Sequence, residues 1–328
     1  MARQAELLLK IGTQLGEGVV WDHVNEELAW VDILDNKVFV YDPETKENRA
    51  CDVGHHVGTV APRNGGGLIA ALRPGIAALD TVTGKVEILK AVAFDDPNSR
   101  FNDGKCDPQG RLWVGTLEYD FKPGHASLFR VDADLTVTKM VDKVTISNGL
   151  CWSLDRKTFY YIDTPTRRID AFDYDERSGN IAERRTAVAI PEEKGWPDGM
   201  NIDSEGRLWV AHYGGGRVCC WDPKTGACVE EIFVPGAKNV TNCAFGGKDL
   251  KDLYISTARQ HLSAEDPAPA AERGGPLRLP LGCRGRAGVR VRGLTSPRPL
   301  FSCAPFLSLW GSDCCSILLT CFGVTSKY

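Results

Sequence analysis

One unit of sequence recurs six times in this chain, and that recurrence restricts the possible folds more than any other feature. Its clearest copy runs from Arg100 to Gly115. Polar Arg100, Asn102 and Asp103 stand beside a glycine, a short alternating segment leads into Asp107-Pro108-Gln109-Gly110, and apolar Leu112-Trp113-Val114 follows. The pattern predicts a hairpin with a polar mouth. Pro197 to Val210 repeats it almost residue for residue, including the Gly-Arg-Leu-Trp-Val that opens the second strand. Ser147 to Asp163 and Gly16 to Asp32 are further copies, while Gly58 to Ala70 and Asn242 to Ile255 are weaker ones. With Glu17, Gly58, Asn102, Asn148, Asp198 and Asn242 as equivalent positions, the steps are roughly 40 to 50 residues, the period of propeller blades. Six such units predict an all-β fold, a six-bladed β-propeller.

Length alone suggests about two domains, but a closed all-β ring can exceed about 200 residues as one unit. We expect one propeller over residues 1–286 and an atypical, poorly ordered tail rich in Arg, Pro and Cys over 287–328. Residues 5–10 alternate weakly and are expected to add a strand to the last blade, closing the ring. The net charge of −4 hides an asymmetry: residues 273–328 carry eight basic side chains and one acid, against 31 basic and 42 acidic residues before them. Such a body lacks the concentrated basic face that nucleic acid requires and suits a site that holds a cation. No apolar run reaches the roughly 18 residues of a membrane span. Twelve cysteines without CxxC or regular spacing read as reduced core residues. With no secretory signal, the expected location is cytoplasmic.

In a propeller the equivalent positions converge near the axis, so Glu17, Asn102, Asn148 and Asp198 become neighbours in space. Two carboxylates and two carboxamide oxygens are hard donors, a set suited to Ca²⁺ or a similar divalent ion with positions left for water and substrate. The competing reading is that each merely caps a strand end. Arg100, two residues before Asn102, points to the same face under strand alternation and either binds an oxygen-rich substrate or bridges blades. Asp203 sits at its turn and reads as structural. His55, His56 and His212 lack partnered spacing and read as solvated or supporting residues. The loops 93–99, 118–124 and 190–196 are expected on the ligand face, the middle one supplying a lid or wall through Tyr119, Phe121 and His125. Neither GxSxG nor HExxH occurs, so serine-hydrolase and zincin chemistry have no support.

Arg-Phe-Asn-Asp-Gly-Lys at 100–105, Ser-Asn-Gly-Leu at 147–150, Pro-Asp-Gly-Met at 197–200 and Gly-Glu-Gly at 16–18 together resemble the signatures of the regucalcin family, also called senescence marker protein or gluconolactonase-like proteins. The resemblance extends from about residue 8 to about 286. It implies one divalent metal ion, calcium or zinc foremost with manganese or magnesium as alternatives, held by Glu17, Asn148 and Asp198. It also implies substrate contacts from Arg100, Asn102 and an acidic residue of the 118–120 loop, either Asp120, which matches by count, or Glu118. The implied activity is that of a metal-dependent lactonase opening small-molecule sugar lactones such as gluconolactone, with Asp198 taking the proton of the attacking water. Gly274 to Arg278 resembles the family's final strand, with Pro276 ill suited to it. Two alternatives stand beside the lactonase: a calcium-binding regulatory protein without turnover, and an inactive variant with a compromised last blade.

Overall fold

Each inner strand is short and almost wholly buried, and tight Asp- and Gly-bearing turns return the chain outward, so every repeat forms a small antiparallel sheet. In a computed structural model of the chain, residues 3–262, 276–280, 284–285 and 288–293 are described. They form six sheets, led by inner strands Gly16–Asp22, Val57–Pro62, Ser99–Cys106, Ser147–Trp152, Trp196–Ile202 and Asn239–Gly246. Neighbouring inner strands pack side by side around the axis, the sixth against the first, which makes a closed six-bladed propeller.

The apolar residues form six cores, one in each gap between blades. Between blades 3 and 4, for instance, Trp113, Leu150, Trp152, Phe159 and Tyr161 pack together, with the Trp113 and Phe159 ring centroids 4.9 Å apart. The repeated Asp-x-x-Gly-Arg-Leu-Trp segment has a specific use. Asp203, fully buried, accepts hydrogen bonds from Glu205 N (2.9 Å), Arg207 N (3.0 Å), Arg207 Nε (2.8 Å) and Trp209 Nε1 (2.9 Å). Asp107 does the same in blade 3 and also accepts from Tyr174 of blade 4 at 2.9 Å. The structural reading of Asp203 holds.

The ring is closed by the N-terminal chain, over a shorter stretch than expected. Glu6–Leu7 pairs antiparallel with Leu277–Pro280, which pairs with Asp252–Ala258 of blade 6. Arg3–Gln4 adds a parallel strand to blade 5. Pro276 lies just before the last strand, where its carbonyl accepts from Leu8 N (3.1 Å) and Leu9 N (3.4 Å). Its missing N–H therefore costs the ladder nothing.

Residues 284–285 and 288–293 lie at the end of the ring where the inner hairpins turn. Arg284 O accepts from Ser204 N (2.8 Å), Gly285 N donates to Leu250 O (2.7 Å), and Arg290 Nη2 meets Asp22 Oδ2 at 3.1 Å. Val291, fully buried, pairs with Arg63, and Arg292 N donates to Gly110 O at 3.1 Å. Residues 288–293, which sequence alone assigns to the tail, thus pack against the blades. The rest of that tail, residue 287 and residues 294–328, lies outside the described residues.

Candidate functional site

The six inner strands share one irregularity. Each pairs regularly with its neighbour except at a bulge, located between Glu17 and Val20, Val57 and Thr59, Phe101 and Gly104, Ser147 and Leu150, Pro197 and Met200, and Val240 and Asn242. A bulge breaks the two-residue alternation and re-aims a side chain. The positions aligned from sequence lie at or beside these bulges. Glu17, Arg100, Asn102, Asn148 and Asp198 accordingly line a single cleft of about 250 Å³.

Glycine permits this convergence. A Cβ at Gly199 would lie 2.3 Å from Asn242 Cγ, and one at Gly149 would lie 2.6 Å from Asp198 O. The Asn-Gly and Asp-Gly pairs are therefore a polar donor followed by a residue thin enough for the next inner strand to approach.

The floor of the cleft is bonded from blade to blade. Arg100 Nη1 donates to Asn102 Oδ1 at 2.7 Å, Asn102 Nδ2 to Asn148 Oδ1 at 2.8 Å, and Asn148 Nδ2 to Thr164 Oγ1 at 2.7 Å. Glu17 accepts from Gly18 N at 3.2 Å. Asp198 Oδ1 is buried with no hydrogen-bond partner among the described residues. Burial pushes the Glu17 carboxyl up to about 8, with the Asp103 charge adding to the effect. Burial, and then the charge of Glu17, raise Asp198 well above the usual carboxylate range. Burial also lowers Arg100 to about 10. Two buried carboxylates with one guanidinium between three blades leave the floor short of positive charge. A divalent cation fits this donor set: it would meet the orphaned Asp198 oxygen, the Glu17 carboxylate and the Asn148 oxygen, all hard ligands.

Above this floor the walls are mostly apolar: Leu15, Leu117, Phe121, Ile146, Pro165 and Trp196. Trp196 is held by the Arg167 guanidinium 3.6 Å over its ring. Phe121 arrives on the predicted loop, whereas His125 pairs with Asp96 at 3.1 Å outside the cleft.

Neither acidic candidate of that loop lines the cleft. Glu118 is fully buried beneath the loop and accepts from Asn98 Nδ2 (2.6 Å), Asp120 N (2.9 Å), Lys122 N (3.2 Å) and Lys122 Nζ (3.2 Å). Asp120 extends into solvent with its side chain 69% exposed. His212 is neither solvated nor in the cleft: it is fully buried, and burial pushes it down to about 3. His56 shares a 2.6 Å hydrogen bond with Tyr119. Asp103 lies behind the floor, accepting from Gly104 N (2.8 Å) and Asn242 Nδ2 (3.3 Å). Trp196 ends the 190–196 loop expected on the ligand face, whereas sequence reasoning missed Thr164 and Tyr213. Their one signal is position, at strand ends facing the polar mouths.

Comparison with known proteins agrees with this architecture. The profile of the SMP-30/Gluconolactonase/LRE-like region matches residues 15–259. The chain belongs to that family of six-bladed propellers. Among its relatives, regucalcin of Danio rerio is 41% identical over 273 residues, covering 83% of this chain and 92% of the relative. A Bacillus subtilis protein named "Putative sugar lactone lactonase YvrE" is 40% identical over 261 residues, covering 80% and 89%. The crystal structure of a calcium-binding protein, regucalcin, from Agrobacterium tumefaciens superposes with a TM-score of 0.84 at 27% identity, covering 89% of this chain and 98% of that one.

Proposed function

We propose that this protein is a divalent-metal-dependent hydrolase that opens sugar lactones, with Glu17, Asn148 and Asp198 holding the metal. The observation that carries the reading is the buried Asp198 oxygen without a partner, beside a second buried carboxylate in one oxygen-lined cleft. The family and the name of the Bacillus relative support the substrate class. When bound, a divalent cation supplies the positive charge that polarises a lactone carbonyl and acidifies a water.

The chain's own residues do the rest. Asp198 would accept the proton of the attacking water and return it to the ring oxygen as the lactone acyl C–O bond breaks. Arg100 and Asn102 hold oxygen atoms of the substrate, and Arg100 lends its charge to the oxyanion that develops on the carbonyl oxygen. Phe121 and Trp196 exclude water from the upper cleft. Asp120 reaches substrate only by turning in from solvent, and Glu118 acts by shaping the loop that carries Phe121. Buried thiols at Cys51, Cys106 and Cys243 fit a reducing, cytoplasmic location. Among the described residues no helix is long and apolar enough to cross a membrane.

The regucalcin names support a second reading, a calcium-binding regulatory protein without turnover. Calorimetric titration of chelator-stripped protein with Mn²⁺ and Ca²⁺, alongside pH-stat assay of glucono-δ-lactone, separates the two. One site per chain with metal-restored turnover supports the hydrolase. One site without turnover on any lactone supports the regulator, and the absence of any site contradicts both.

A further inference from the structure

Building on that metal-site reading, we propose that Thr164 is a positioning residue: its hydroxyl fixes which atom of Asn148 faces the cleft, at the end of a one-way chain of hydrogen bonds. A guanidinium only donates and a peptide carbonyl only accepts. Arg100 Nη1 donates to Asn102 Oδ1 (2.7 Å), which turns the Asn102 amide so that Nδ2 faces blade 4. There it donates to Ser147 O (2.9 Å) and Asn148 Oδ1 (2.8 Å). Asn148 Nδ2 is left to face Thr164 Oγ1 (2.7 Å), and the threonine proton goes to Pro197 O at 2.8 Å.

The direction is therefore imposed from both ends. Flipping either amide would set donor against donor or acceptor against acceptor. The side chains of Arg100, Asn102, Asn148 and Thr164 are all more than nine-tenths buried, so such a mismatch would leave buried donors and acceptors facing their own kind. The chain starts on blade 3, crosses blade 4, and ends on blade 5 at the residue before Asp198. Its effect is to fix the Asn148 carbonyl oxygen, one lone pair of which is taken by Asn102, while the NH₂ that would repel a cation is turned to Thr164. Thr164 lies outside every repeated motif; it follows Asp163, whose carboxylate accepts from Thr145 N (3.2 Å) and Ile146 N (2.9 Å) and so anchors the strand end that places it.

The test uses the full chain, stripped by chelator and titrated with Mn²⁺ by calorimetry, in Thr164→Ser, Thr164→Ala and Thr164→Val. Serine and alanine differ only in the hydroxyl oxygen, so their comparison stands even if the buried valine prevents folding. Loss of a group that orients a metal ligand weakens affinity about 10- to 100-fold. We expect that loss in Thr164→Ala, and in Thr164→Val where it folds, with Thr164→Ser within about threefold of the parent. The melting temperatures of the metal-free serine and alanine variants should differ far less than their affinities. Equal Mn²⁺ affinity in the serine and alanine variants overturns the role of Thr164. Absence of Mn²⁺ binding by the parent protein overturns the metal site itself, and the inference with it.

Discussion

At the scale of single residues, the site depends on side chains whose surroundings restrict them to one task. Glu118 illustrates this with a pH dependence. Burial pushes its pKa up, but hydrogen bonds from Lys122 N, Asn98, Lys122 Nζ and Asp120 N more than offset this and hold it at about 2. A carboxylate depressed in the folded state contributes stability above its unfolded pKa and loses it as pH falls toward the folded value. Glu118→Gln should therefore lower the melting temperature at pH 7, with the gap to the parent closing as pH falls from 4.5 toward 2. A gap independent of pH would mean that the carboxylate charge has no part in holding the loop. Because Glu118 organises the segment carrying Phe121, the same variant should raise KM for a lactone more than it lowers kcat, measurable in one steady-state series. Glu17, Asn102, Asn148 and Asp198 of the cleft were legible in sequence because they stand at equivalent places in the repeat. Glu118 and Asp120 were not separable, since burial under a loop is set by contacts with Asn98 and Lys122 that no local pattern announces.

At the scale of elements, the inner strands succeed through their bulges and through the glycines that follow Glu17, Asn148 and Asp198. Gly199→Ala brings a methyl to 2.3 Å from Asn242 Cγ, so either blade 5 or blade 6 must move. Overpacking of this kind costs about 1–3 kcal/mol, and the shift should carry Asp198 out of register with Glu17. Urea unfolding and lactone turnover should both fall; unchanged activity would show that the blades reposition without disturbing the floor. The repeat made the hairpins and the Asp203 and Asp107 turns readable. The bulges were not, because a bulge leaves the residue order intact and changes only which face a side chain reaches. Thr164 escaped for a related reason: its importance comes from partners on blades 4 and 5, Asn148 and Pro197, rather than from its neighbours in the chain.

At the scale of the whole molecule, a ring of six blades is only as rigid as its closure, and here two segments share that task. Glu6–Leu7 completes blade 6 at the rim, and residues 284–285 and 288–293 lie at the end of the ring where the inner hairpins turn, touching blades 1, 2, 3, 5 and 6. The composition of 287–328 concealed this, since an Arg-rich stretch gives no sign that Val291 is fully buried beside Ile69 and Phe101. Val291→Asp should destabilise the fold by roughly 3 kcal/mol through an unpaired buried charge, measured by urea unfolding at neutral pH. A change below about 0.5 kcal/mol would mean that the segment does not hold the ring. The central claim, that the convergence of Glu17, Asn148 and Asp198 makes a metal-dependent lactonase, is tested most directly on glucono-δ-lactone. Chelated parent protein and Asp198→Ala should each be assayed before and after addition of Ca²⁺, Zn²⁺, Mn²⁺ or Mg²⁺. The account predicts turnover that returns with metal in the parent and remains at least about 100-fold lower in the variant, whose fold and melting temperature persist. Equal turnover in the two proteins, or turnover indifferent to chelation, would contradict it.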